Sequence, residues 1–155
     1  MTKKILVALS DSIVSQSVLD HLIEMGYCHQ DYHITLLHVF RKATAEEQLM
    51  GKKFSSEQQP RMLAMLERAK ENLVKAGFNE SSIHINLATT VYPTIADGII
   101  EEFRKDHYQM VIIGRKRKSK SEEFALGDIS VKLVRTLENT AVVVVKQSLK
   151  RDKSG

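Results

Sequence analysis

Three stretches of the chain hold residue types capable of chemistry. The first is Ser10-Asp11-Ser12, directly after an apolar run. Hydroxyls beside a carboxylate are raw material for nucleophilic catalysis, but a nucleophile also needs a base and an orienting group. No histidine is expected near this triplet. It is therefore read as a helix cap, with Asp11 or Ser12 accepting from the free N–H groups of the helix that follows. The second stretch runs from Gly114 to Gly127. Arg115, Lys116, Arg117, Lys118 and Lys120 place five cations there, with Glu122 and Glu123 as partial counterweights. Side-chain cations hold phosphate through charge-assisted hydrogen bonds, so an anion or nucleotide site is one reading. A solvated basic loop is the other, the usual fate of like-charge runs. Phosphate added to Ser119 or Ser121 would cut the local positive charge. The third group is six histidines and the lone Cys28. His29 and His33 straddle a turn, and Cys28-His29 fits no zinc spacing, so no metal site is expected. His38 lies inside an apolar run and reads as a hydrogen-bonded core residue.

The elements that position these residues alternate between strand and helix. Lys4 to Leu9 is a short continuous apolar run, the pattern of a strand buried on both faces. A helix follows from about Ile13 to Met25, with Val14, Val18, Leu22 and Met25 on one stripe and Leu19 and Ile23 beside it. Gly26 stops it. Tyr32 to Phe40 is a second buried strand, and the polar stretch Arg41 to Ser55 reads as a loop. Pro60 lies near the start of the next helix, where a missing N–H costs little. Met62, Leu66, Ala69, Leu73 and Ala76 recur at helical spacing, and Gly77 closes the element. Ser82 to Ala88 alternates apolar Ile83, Ile85 and Leu87 with His84 and Asn86, as a strand near a sheet edge does. Pro93 begins a third helix that buries Ile95, Ile99 and Phe103. Met110 to Ile113 is the fourth strand. A helix from about Asp128 buries Ile129, Leu133, Val134 and Leu137, and Ala141 to Val145 is the fifth strand.

Five strands alternating with helices imply parallel pairing, right-handed crossovers and helices on both faces. Ligands in such sheets bind at the carboxyl ends of the strands where the strand order reverses. If the first and fourth strands flank that crevice, Ser10, Asp11 and the Gly114 loop face one another across it. The length of 155 residues, without repeat or linker, fits one domain over 1–147 with a charged tail at 148–155. Hydrophobic content of 43% and charged content of 27% are ordinary for a soluble globular protein. A net charge of +4 is too mild to demand nucleic acid. Aromatics at 6% without Trp leave no platform for stacking bases. No apolar run reaches the ~20 residues that span a bilayer. One cysteine and no signal-peptide pattern fit a cytoplasmic protein. Four consecutive valines, Val142, Val143, Val144 and Val145, at a sheet edge would expose unpaired backbone groups. Pairing with the same strand of a second copy removes that hazard, so a homodimer through the fifth strand is expected.

Several of these segments resemble the universal stress protein family, in order and over nearly the whole chain. Ile5-Leu-Val-Ala-Leu-Ser-Asp-Ser12 is similar to the family's Ile-Leu-Val-Ala-Val-Asp-Gly-Ser. Leu36-Leu-His-Val39, Val111-Ile-Ile-Gly114 and Val142-Val-Val-Val-Lys146 also match it. The resemblance implies a Rossmann-like open sheet of order 3-2-1-4-5, of the adenine nucleotide alpha hydrolase type, with dimers and a role in stress response. Some members bind ATP through Gly-x2-Gly-x9-Gly-Ser/Thr after the fourth strand. The corresponding positions here are Gly114, Arg117, Gly127 and Asp128, with Ser130 matching a later serine near the phosphates. Glycine permits positive φ and close approach of N–H groups to phosphate, which Arg117 obstructs. Asp128 at a helix N-terminus suits the helix dipole but repels a polyphosphate. Ser10 stands where binders carry an acid near the ribose, and Asp11 comes one place late. Val91-Tyr-Pro93 replaces the common Gly-x-Pro.

The expectation is a non-enzymatic stress-response protein with a degenerate nucleotide site, no required cofactor and protein partners of unknown identity. The first alternative is an ATP- or AMP-binding member with an altered phosphate loop. In it Val39 borders the base, Ser10 lies near the ribose, and Gly114, Arg115, Gly127 and Ser130 meet the phosphates. The second is a slow ATPase, ranked last because no water-activating base is evident.

Overall fold

The computed structural model describes residues 2–28, 30–41, 45, 58–115 and 129–146. The described elements are, in order, β1 (Lys3–Ala8), α1 (Val14–Glu24), β2 (Tyr32–Arg41), α2 (Gln58–Lys75), β3 (Ile83–Tyr92), α3 (Ile95–Arg104), β4 (Met110–Arg115), α4 (Ile129–Thr136) and β5 (Ala141–Lys146). A 3-10 turn at Glu80–Ser82 precedes β3. The strands form one parallel sheet of order β3-β2-β1-β4-β5. Its centre is β1, with β2 on one side and β4 on the other.

Strand periodicity divides the core in two. Ile5, Val7, Ile34, Leu36 and Ile112 point to one face and pack under Val18 and Leu22 of α1 and Leu66 and Leu73 of α2. Their neighbours Leu6, Leu37, Val39, Val111 and Ile113 point to the other, under Ile99 and Ile100 of α3 and Leu133 of α4. This is why β1 and β4 read as unbroken apolar runs: each residue faces a helix layer on one side or the other. Full burial of a Leu or Ile contributes about 1.5–3 kcal/mol, and Leu6, Leu22, Leu36 and Leu133 are fully enclosed.

The valine run of β5 stands at the sheet edge, as expected. Val142, Val143, Val144 and Val145 pair in register with Val111, Ile112, Ile113 and Gly114 of β4. Their side chains alternate between the two core layers. Val143 and Val145 pack against the layer of α1 and α2, and Val142 and Val144 against that of α3 and α4. All four are only half-buried, since β5 has a neighbour strand on one side alone. The chain's own helices thus cover part of this strand, a contribution that its four-valine pattern does not reveal.

Several element ends differ from expectation. Neither Asp11 nor Ser12 caps α1: the N-cap residue is Ile13, and no side chain bonds there. Asp11 is held instead by Arg61, and Ser12 Oγ by Ser10 Oγ. Met25, Ile23 and Val134, expected on buried stripes, are all exposed. Ile23 lies in the last turn of α1 and Met25 is its C-cap. Ala76 is also exposed, beyond the last turn of α2. Pro93 lies two residues before α3, whose N-cap is Thr94, with Oγ1 accepting from Asp97 N at 3.1 Å. Gly26 and Gly77 end α1 and α2 at φ +72° and +110°, the left-handed region that favours glycine. β3 is longer than expected. Its pairing with β2 skips Thr89 and Thr90, since Val39 partners Ala88 while Phe40 partners Val91.

Candidate functional site

At the carboxyl ends of β1, β2 and β4 the sheet opens into a crevice of about 120 Å³. Ser10, Val39 and Gly114 line it, with His38 on the β2 wall, Ile95 and Ile99 from α3, and Ile129 from α4. The topology accounts for this position. The chain leaves β1 toward α1 on one face, and reaches β4 from α3 on the other, so the strand ends part there.

The turn after β1 is tied to itself. Ser10 N donates to Ser15 Oγ at 2.9 Å, and Ser15 Oγ donates to Ser10 O at 2.8 Å. The hydroxyls of Ser10 and Ser12 lie 2.8 Å apart. These contacts satisfy polar groups of a partly exposed turn without any ligand, and they use the hydroxyl that the resemblance places near a ribose. Contrary to the expectation that no histidine lies near this turn, His38 stands on the same crevice wall. β2 runs beside β1, and its residue 38 reaches the level of Leu9. His38 Nδ1 lies 2.9 Å from the Leu9 carbonyl, which fixes the proton on Nδ1. Burial pushes the pKa of His38 down, against the pull of the Leu9 carbonyl and of Asp11. The ring spends its donor on backbone and packs edge-on to Phe40 at 4.9 Å, so it is hydrogen-bonded as expected, but it is half-buried on the crevice wall rather than in the core. Ser10 Oγ is bonded to Ser12, so the turn holds no assembled nucleophile–base pair.

Asp11 departs from expectation. It does not face Gly114 across the crevice. It points to the other side of the turn, where Arg61 of α2 holds it in an exposed ion pair.

Gly114 lines the crevice as expected, but not through an unusual backbone, since its φ is not positive. A Cβ there would lie 3.0 Å from both Val14 Cγ2 and Val18 Cγ2. Its glycine is needed for the close approach of α1 to β4. Arg115 is half-buried at the end of β4, and Ser130 is buried in the first turn of α4. Arg117, Gly127 and Asp128 lie outside the described residues, as do the rest of the basic loop, most of the stretch Arg41 to Ser55, and the tail.

One charged cluster has almost no signature in the sequence. Glu102 of α3 is 5% exposed and accepts from Asn86 Nδ2 (2.9 Å), Tyr92 Oη (3.0 Å) and Lys105 Nζ (2.7 Å). Burial pushes its pKa up, but the bonds from Lys105, Asn86 and Tyr92 outweigh burial and hold the carboxyl below its ordinary value. Burial, then the Glu102 carboxylate, raises the Tyr92 phenol. The cluster clamps α3 to the edge strand β3. Its one sequence signal is the Glu102–Lys105 spacing on a helix face. Beside it, Lys132 of α4 reaches Asp97 of α3 at 2.5 Å.

Among the described residues, no group of three or more His, Cys, Asp or Glu side chains is placed to hold a metal ion. Among them, too, no helix is long and apolar enough to cross a membrane.

Comparison with known proteins agrees with this architecture. The universal stress protein family model matches residues 1–146. A search of curated proteins finds no match. Among solved structures, a universal stress protein in complex with cAMP superposes with a TM-score of 0.69 at 15% identity, covering 95% of this chain and 98% of that one. The universal stress protein UspA from Lactobacillus plantarum gives 0.67 at 13% identity, with 92% and 97% covered. The universal stress protein from Archaeoglobus fulgidus in complex with dAMP gives 0.63 at 17% identity, with 93% and 98% covered. Identities this low speak to the fold alone, and the family model adds the sequence evidence. With the 3-2-1-4-5 sheet and the family match over residues 1–146, the chain belongs to the universal stress protein family.

Proposed function

We infer that this is a non-enzymatic universal stress protein of the cytoplasm, acting in stress response through protein partners, with a degenerate nucleotide site. The observation that carries the reading is the direction of Asp11. The carboxylate next to the crevice is turned away and neutralised by Arg61, while the hydroxyl left in the crevice, that of Ser10, is bonded to Ser12. A ribose placed there would displace an existing hydrogen bond and gain no charge-assisted one. Arg117 and Asp128, in place of glycine and a hydroxyl residue, support the same reading from the sequence. The half-buried Val142, Val143, Val144 and Val145 of edge strand β5 support a homodimer formed through that strand.

Calorimetry with ATP and AMP, with and without Mg²⁺, tests the nucleotide reading. Binding weaker than about 1 mM is expected, equivalent to less than about 4 kcal/mol. The double substitution Arg117→Gly and Asp128→Ser is expected to strengthen ATP binding. Micromolar affinity of the unaltered chain overturns the reading.

An adenine-nucleotide binder with an altered phosphate loop is the second reading. Its support is the crevice between Val39 and Gly114, together with cAMP and dAMP in two structurally similar universal stress proteins. A slow ATPase ranks behind both, and phosphate release from ATP measures it directly.

A further inference from the structure

The crevice at the strand ends is walled mostly by hydrocarbon. Six aliphatic side chains line it: Val14 of α1, Val39 of β2, Ile95 and Ile99 of α3, Ile113 of β4 and Ile129 of α4. Every one is β-branched, and two heavy atoms on Cβ leave such a side chain stiff about χ1. A wall of this kind has few rotamers with which to fill the space, so its shape is set by the backbone positions of the five elements.

The polar side chains of the crevice are already engaged. Ser15 Oγ accepts from Ser10 N and donates to Ser10 O, Ser10 Oγ is bonded to Ser12, and His38 Nδ1 donates to the Leu9 carbonyl. Among the described residues no charged side chain lines the space. Burying a polar or charged group without a partner costs free energy, while burying an apolar one releases water without that cost. The two observations select the same class of occupant. A ligand rich in polar atoms must leave them unpaired or break a bond of the turn, and an apolar ligand does neither.

We propose that the crevice binds a small uncharged apolar molecule, about the size of a single carbocycle. This rests on reading the crevice as a degenerate nucleotide site, and it names what such a site still accepts. In other proteins an engineered apolar cavity of about 150 Å³ stays dry and takes up benzene or xenon. The crevice, at about 120 Å³, is of that order, and its open mouth leaves room for a substituent. A purine carries ring nitrogens and an amine that find no unengaged side-chain partner on this wall, so adenine is a poorer fit than a hydrocarbon ring.

The test is methyl NMR of the full chain titrated with toluene, and in parallel with benzoate and adenine. Toluene and benzoate share a ring and differ in a methyl against a carboxylate. Saturable shifts of the Val39, Ile95 and Ile113 methyls are expected with toluene below about 1 mM, and binding at least about tenfold weaker with benzoate and with adenine. Ile129→Gln, at the half-buried start of α4, is expected to weaken toluene binding at least about tenfold, with backbone spectra verifying the fold. The comparison of the three ligands on the unaltered chain needs no variant. Linear, unsaturating shifts with toluene, benzoate or adenine binding as tightly as toluene, or undiminished binding by a folded Ile129→Gln each overturn the proposal. Micromolar ATP binding overturns the degenerate-site reading beneath it. Weak ATP binding together with no saturation by toluene overturns this proposal alone.

Discussion

Gly98→Ala is the most informative single change in this fold. Gly98 lies in α3 where that helix crosses the end of β2. An added Cβ would fall 2.3 Å from Val39 Cγ1 and 2.8 Å from Tyr92 Cδ2. Normal carbon–carbon contact is about 3.5–4.0 Å, so Val39 must withdraw by more than about 1 Å. It has little freedom to do so: its branched side chain is stiff about χ1, and it is 6% exposed. Tyr92 is tethered by its bond to Glu102. Overpacking of this kind costs about 1–3 kcal/mol, and both constraints place this site at the upper end. Alanine returns about 1 kcal/mol of helix propensity, for a net loss of about 2 kcal/mol. For a chain of this length that corresponds to a fall in Tm of about 4–8 °C. Urea unfolding with a two-state fit provides the free energy. Adding Val39→Ala removes the obstructing methyls, so the double variant is expected to be more stable than the sum of the two single losses. A Gly98→Ala protein as stable as the parent, or strictly additive losses in the double variant, refutes the close-approach argument.

Glu102→Gln tests the buried carboxylate. Because the folded pKa of Glu102 lies below its ordinary value of 4.5, its contribution is present above that pH and is lost as pH falls through the folded value. The urea midpoint of the parent protein is therefore expected to drop more steeply below pH 4.5 than that of Glu102→Gln. Parallel curves would show that the three hydrogen bonds do not favour the ionised form. Light scattering at high protein concentration is expected to give twice the chain mass, and a monomer rejects pairing through β5.

Where sequence order alone determines the neighbours, the fold is legible in advance. The apolar runs at Lys4 to Leu9 and Met110 to Ile113 need cover on both faces, and the structure supplies it. Helix stops at Gly26 and Gly77 are local signals and appear at those residues. What escapes is set by partners distant in the chain. Asp11 looks like a cap because its competing partner, Arg61, lies fifty residues on and leaves no mark in the local sequence. Gly114 reads locally as a phosphate-facing backbone position, while its requirement comes from Val14 and Val18 on a helix about a hundred residues earlier. The Glu102 cluster joins two strand residues to two helix residues, and only the helical half is visible as a spacing.

The central place of β1 has a consequence for synthesis. Its pairing with β2 joins segments about thirty residues apart and can close soon after both leave the ribosome. Its other side pairs with β4, so Ile5 waits for Met110. For the time taken to make about seventy further residues, the central strand of the sheet keeps one backbone edge open to any other nascent chain. A half-made chain thus carries an open edge on β1 that closes only when β4 arrives.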